Sequence, residues 1–136
     1  MYRTVIKLYP KESTAYINFG SLLQKLEKYD EAEEMYRKVT KFNPKYVESW
    51  YKLGKLYDDV HRDYKKAEII YRKVIKLNPN HQDSLYNLGK LLKKREKYDE
   101  AEKVFRKVID LNPKNLEIHK ILKSIKKYNN KKNNKI

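Results

Sequence analysis

Apolar side chains recur along most of this chain at steps of three and four residues. Over one stretch they run Leu85, Leu88, Leu92, then Ala101, Val104, Phe105 and Val108, the spacing that places them on one stripe of a helix. The same pair of stripes returns earlier in the chain, separated each time by short polar segments. Helices are therefore predicted over 13–26, 30–42, 47–61, 64–77, 82–95, 99–111 and 116–128. Asp30 and Asp99, with Glu33 and Glu102 three residues on, read as start signals for the second helix of a pair. Asn-Pro at 43–44, 78–79 and 112–113 marks the ends, because proline disfavours helical geometry in the residue before it.

The punctuation residues turn this into a repeat. The four prolines are Pro10, Pro44, Pro79 and Pro113, and the three glycines are Gly20, Gly54 and Gly89. Each series advances by 34 or 35 residues. A self-similar period of this length is the signature of stacked helix hairpins. The boundaries read as follows: residues 1–12 are the second helix of an incomplete unit, because MYRTVIKLYP aligns with MYRKVTKFNP at 35–44. Units follow at 13–46, 47–81 and 82–115. Residues 116–128 form a capping helix in which Lys123 replaces the glycine, and the polar stretch 129–136 is expected to be disordered. The middle unit carries one extra residue, which lengthens the turn YDDVHRDY.

Tyr16-x2-Phe19-Gly20-x2-Leu23, Trp50-x2-Leu53-Gly54-x2-Tyr57 and Leu85-x2-Leu88-Gly89-x2-Leu92 are each followed by an alanine (Ala32, Ala67, Ala101), an aromatic residue (Tyr36, Tyr71, Phe105) and a proline. This pattern resembles the tetratricopeptide repeat, with Val39, Val74 and Val108 where that family usually has alanine. The small residues are expected to allow close helix approach, and the aromatics to fill the gaps between hairpins. The resemblance implies an all-α, right-handed solenoid of stacked antiparallel hairpins whose concave face is lined by first helices. It implies a groove built from Thr14, Ile17, Asn18, Ser21, Gln24 and Lys25, then Glu48, Tyr51, Lys52, Lys55, Asp58 and Asp59, then Asp83, Tyr86, Asn87, Lys90, Lys93 and Lys94. Ile17, Tyr51 and Tyr86 form an apolar and aromatic row, flanked by Asn18 and Asn87, whose amides can bond an extended peptide. The lysines of the third unit favour an acidic partner. Members of the family that grip chaperone tails hold a carboxylate with lysine, asparagine and arginine; here those places are Ile17, Ser21, Lys52, Asp83 and Asn87, so no such clamp is expected.

Composition narrows the alternatives. The net charge of +15 suggests nucleic acid as a second kind of partner, and residues 116–136 hold seven lysines against Glu117 alone. With 27 lysines to six arginines and abundant Asn, Ile and Tyr, base composition of the coding sequence explains much of that charge. A third reading is self-assembly into a homodimer, or docking onto an upstream part of a larger protein, through the uncovered helix at 1–12. Without cysteine, disulfides and thiolate chemistry are excluded. No apolar run is long enough to span a bilayer, so a soluble, cytoplasmic, non-membrane protein is expected. His61 with Asp58, Asp59 and Asp63 resembles a metal or acid-base cluster, but its place on a turn reads as solvated charge. No nucleophile with a base, and no glycine-rich phosphate loop, is present. The expected protein is thus a scaffold without enzymatic activity, cofactor or metal, binding a protein or peptide.

Overall fold

The computed structural model describes residues 2–8 and 11–134, of which all in regular structure are helical. Pro10, the first of the evenly spaced prolines, and the tail residues 135–136 lie outside the described residues. Helix α1 covers Tyr2–Leu8, α2 Ser13–Lys25, α3 Tyr29–Phe42, α4 Val47–Leu56, α5 Tyr64–Leu77, α6 Gln82–Lys94, α7 Tyr98–Leu111 and α8 Leu116–Asn134. None of these is long and apolar enough to cross a membrane. The chain divides into two compact units, 1–77 and 78–136. In the first, each helix from α1 to α5 packs on the next; in the second, α6 packs on α7 and α7 on α8.

Inside each hairpin, the contact is set by glycine against an aromatic ring. A Cβ added at Gly20 would lie 2.5 Å from Cε1 of Tyr36, one at Gly54 3.0 Å from Cδ1 of Tyr71, and one at Gly89 2.7 Å from Cζ of Phe105. Those rings, with Ala32, Ala67 and Ala101, are fully buried. The aromatics therefore fill the space within their own hairpins, where gaps between hairpins were expected, because the missing side chain leaves a slot only a flat ring can occupy. At two of the tryptophan places of the motif the side chain fastens the preceding turn: the Trp50 indole donates to the carbonyl oxygen of Pro44 at 2.8 Å. In the capping helix, a ring nitrogen of His119 meets the Pro113 carbonyl at the same 2.8 Å.

The turns correct three expectations. Asp30 and Asp99 do not cap their helices. Helices α3 and α7 begin one residue before them, after Lys28 and Lys97, with no side-chain cap. The reason lies upstream: Glu27 and Glu96 adopt left-handed geometry, φ 60° and 61°. The amides of Lys28 and Lys97 then bond back to the carbonyls of Leu23 and Leu92, a closure that returns the chain to helix at once. The two aspartates instead sit in the first turn, where their charge suits the helix dipole. The lengthened middle turn is not a plain helix to residue 61; Tyr57–His61 is a π-helical turn ending at Arg62, φ 52°. One residue too many for the α-helical ladder is absorbed as a wider turn, and Asp63 then caps α5 through the Lys66 amide at 3.2 Å. Finally, α8 runs six residues past the expected end at 128. The stretch expected to be disordered is helical to residue 134, tied to α7 by a bond from the Asn129 amide to Glu102 at 3.1 Å and by the rings of Tyr98 and Tyr128, tilted at 38° with centroids 4.0 Å apart.

Candidate binding faces of the first helices

In the first unit, α2 and α4 hold the site, and α3 and α5 supply its floor. Tyr36 projects from α3 beneath Gly20, and its buried hydroxyl reaches α2, donating to Gln24 Oε1 at 2.9 Å with Ser21 Oγ 3.5 Å away. Tyr71 repeats the arrangement from α5, donating to Asp58 Oδ2 at 2.9 Å. Burial of this phenol, and then the Asp58 carboxylate beside it, push its pKa far above the usual tyrosine value, so it stays protonated and donates to Asp58. In the second unit, the corresponding ring is Phe105 and has no hydroxyl to place.

An open depression of about 330 Å³ is lined by Ser21, Gln24, Lys25, Tyr29, Lys52 and Val60. Of the expected groove residues, it brings together Ser21, Gln24, Lys25 and Lys52. Asn18 is exposed, and Tyr51 is half-buried. Ile17 is not a groove side chain: it is 5% exposed and belongs to the core. A branched apolar residue on α2 is better buried than presented, so the first unit lacks that member of the row. Lys55 is held by Asp59 at 2.8 Å. Burial works against its charge, but the Asp59 carboxylate outweighs it and raises its pKa.

In the second unit, Tyr86 stands half-buried on α6, donating to Glu117 of α8 at 2.9 Å with its ring edge-on to Phe105. Burial and this hydrogen bond raise its pKa. Lys90 lies over the Tyr86 ring at 4.7 Å, a cation–π contact that fixes its ammonium at the surface. Lys94 is exposed, and Lys93 is half-buried. Asn87, expected to face a ligand, is only 7% exposed, although Asn18 at the same register of the first unit is exposed.

The sequence reading missed the tyrosine hydroxyls, together with Tyr29 and Val60. A signal for the hydroxyls was present. The first-helix residue in register is Gln24, Asp58 or Lys93, and the second helix carries tyrosine opposite the two acceptors and phenylalanine opposite the lysine. The turn cluster also reassembles differently. Asp58 is taken by Tyr71, Asp59 by Lys55 and Asp63 by Lys66, while His61 turns to Glu33 of the preceding hairpin at 3.6 Å.

Family matches and solved structures agree with this geometry. Models described as tetratricopeptide repeat or TPR repeat match residues 20–59, 47–81 and 83–115, together well over half the chain. No protein of curated function matches the sequence. The crystal structure of MamA superposes with a TM-score of 0.82 at 19% identity, covering 95% of this chain and 75% of that one. YrrB, described as a TPR protein with an unusual peptide-binding site, gives 0.77 at 25% identity, with 86% of this chain aligned to 60% of YrrB. The first TPR of Spaghetti (RPAP3), bound to the HSP90 peptide SRMEEVD, gives 0.75 at 23% identity over 86% of this chain and 94% of that domain. The helix hairpins, their glycine–aromatic contacts and these matches place the chain in the tetratricopeptide repeat family.

Proposed function

We propose that this chain is a non-catalytic interaction module that takes an extended, acidic peptide or a helix of a partner protein on the outward faces of its first helices. The observation that carries the reading is the depression between α2 and α4, where Lys25 and Lys52 flank an amide, a serine hydroxyl and the rings and methyls of Tyr29 and Val60. Such a surface combines cations for acidic side chains with an amide for the peptide backbone. YrrB's peptide-binding site supports the reading from a chain of the same fold. The HSP90 peptide held by Spaghetti is a different case. Ile17 and Asp83 stand at two clamp places here, one in the core and one acidic, and neither can hold a carboxylate.

Selection of random peptides on the immobilised chain, with Ser21→Arg and Lys52→Glu variants as counter-targets, tests this. Acidic sequences that bind the wild type and lose at least about tenfold in affinity on the variants are expected, while SRMEEVD shows no comparable binding. Peptides that bind all three proteins equally would overturn the assignment of the site. The helical course of α8 favours a second reading, contact with nucleic acid phosphates, since Lys120, Lys123, Lys127 and Lys131 recur at three- and four-residue steps along it. It predicts affinity that falls steeply with salt.

A further inference from the structure

The one-residue expansion of the middle turn sets Val60 at the depression on α2 and α4, and it also delivers a histidine to a carboxylate pair on another hairpin. We propose that Asp30, Glu33 and His61 form a site for one first-row divalent cation of the zinc class, bridging α3 to the π-helical turn after α4. The ligand atoms of the three residues lie within 4.8 Å of one another, and His61 Nε2 is 3.6 Å from Glu33 Oε2. Tetrahedral zinc with bonds of about 2.0–2.1 Å to nitrogen and oxygen needs ligand atoms about 3.3–3.4 Å apart, so the histidine–glutamate edge at 3.6 Å must shorten only slightly. Asp30 is exposed on the first turn of α3 and closes the set by side-chain rotation.

Neighbouring side chains orient the Glu33 carboxylate. Tyr57 and Arg37 both donate to Glu33 Oε1, the arginine through Nε at 2.9 Å, and the arginine also donates to the Tyr57 hydroxyl. Glu33 is thereby anchored by one oxygen and presents the other to the imidazole, the division of labour that fixes a metal-bound carboxylate. One imidazole and two carboxylates form a mixed nitrogen and oxygen set suited to zinc and its neighbours, more than to calcium or magnesium, which prefer oxygen alone. The carboxylates carry two negative charges and Arg37 returns one, so a dication is not repelled. Tyr29 and Val60, adjacent in sequence to Asp30 and His61, line the depression on α2 and α4, and an ion here would brace its rim.

Calorimetric titration of the full chain with zinc chloride tests the site. One ion per chain is expected, with affinity reduced at least about tenfold in His61→Ala and in Asp30→Asn and unchanged in His119→Ala. Circular dichroism accompanies each variant; Asp30 is exposed, so its replacement keeps the test intact even where the His61 variant loses helix. Equal zinc affinity in wild type and Asp30→Asn, or no binding up to about 1 mM, the range of millimolar dissociation constants, would overturn the proposal.

Discussion

Replacing Gly20 by alanine sets two effects of known sign against each other. In a helix, alanine is favoured over glycine by about 1 kcal/mol, so an unobstructed site would gain stability. Here the new methyl would lie 2.5 Å from Cε1 and 3.0 Å from Cδ1 of Tyr36, where carbon atoms prefer about 3.5–4.0 Å. The ring must retreat by roughly 1 Å, yet it is fully buried and its hydroxyl is bound to Gln24. Overpacking of this kind costs about 1–3 kcal/mol, and stretching the hydrogen bond adds about 1 kcal/mol. The net expectation is a loss of about 1–3 kcal/mol, reached by setting the propensity gain against those costs. Gly54 provides the internal comparison. Its nearest neighbours are 3.0 Å away on Tyr71 and 3.2 Å on Ile70, so Gly54→Ala should fall near neutral. Urea unfolding followed by far-ultraviolet circular dichroism measures both, with the slope m checked for constancy. Tyr36→Leu removes the obstructing ring, and in its background Gly20→Ala should recover at least about 1 kcal/mol of coupling. If Gly20→Ala stabilises the chain, or if the two substitutions simply add, the slot is not what holds the hairpin together.

Three further outcomes follow from the packing and the turns. Ala67→Leu places a large side chain at a fully buried contact and should cost about 1–3 kcal/mol, read as a lower urea midpoint. Glu27→Gly relieves a left-handed residue and should raise stability by up to about 1 kcal/mol; a destabilised variant would count against the turn geometry. The Arg106 hydrogen bond, opposed by burial and aided by Asn129, holds the Glu102 carboxyl below its ordinary value of 4.5. The unfolded chain then binds more protons, so this contribution is complete above pH 4.5 and is lost as the pH falls through the lower folded value. Urea titrations of wild type and Glu102→Gln should converge under acid and separate near neutrality; a constant gap would refute it.

The helices, their pairing and the identity of the packing residues were legible from the chain alone. Periodicity, glycine and proline report local geometry, and local geometry in a repeat is imposed at the same register in every unit. Gly20 and Tyr36 could be assigned to packing on this ground, and the tyrosine hydroxyls could have been read from Gln24 and Asp58 opposite them. Where neighbouring segments meet was another matter. Ile17 and Asn87 share the register of groove residues, yet both are buried, because exposure depends on what packs above a helix face. His61 lies beside Asp58, Asp59 and Asp63 in sequence, yet each of those aspartates is taken by another partner. The π-helical turn rotates the histidine toward Glu33 and Asp30 of another hairpin. The extra residue was visible in the spacing, but its direction was not. A one-residue insertion changes the rotation of everything after it, and only the packed neighbours decide where that rotation points.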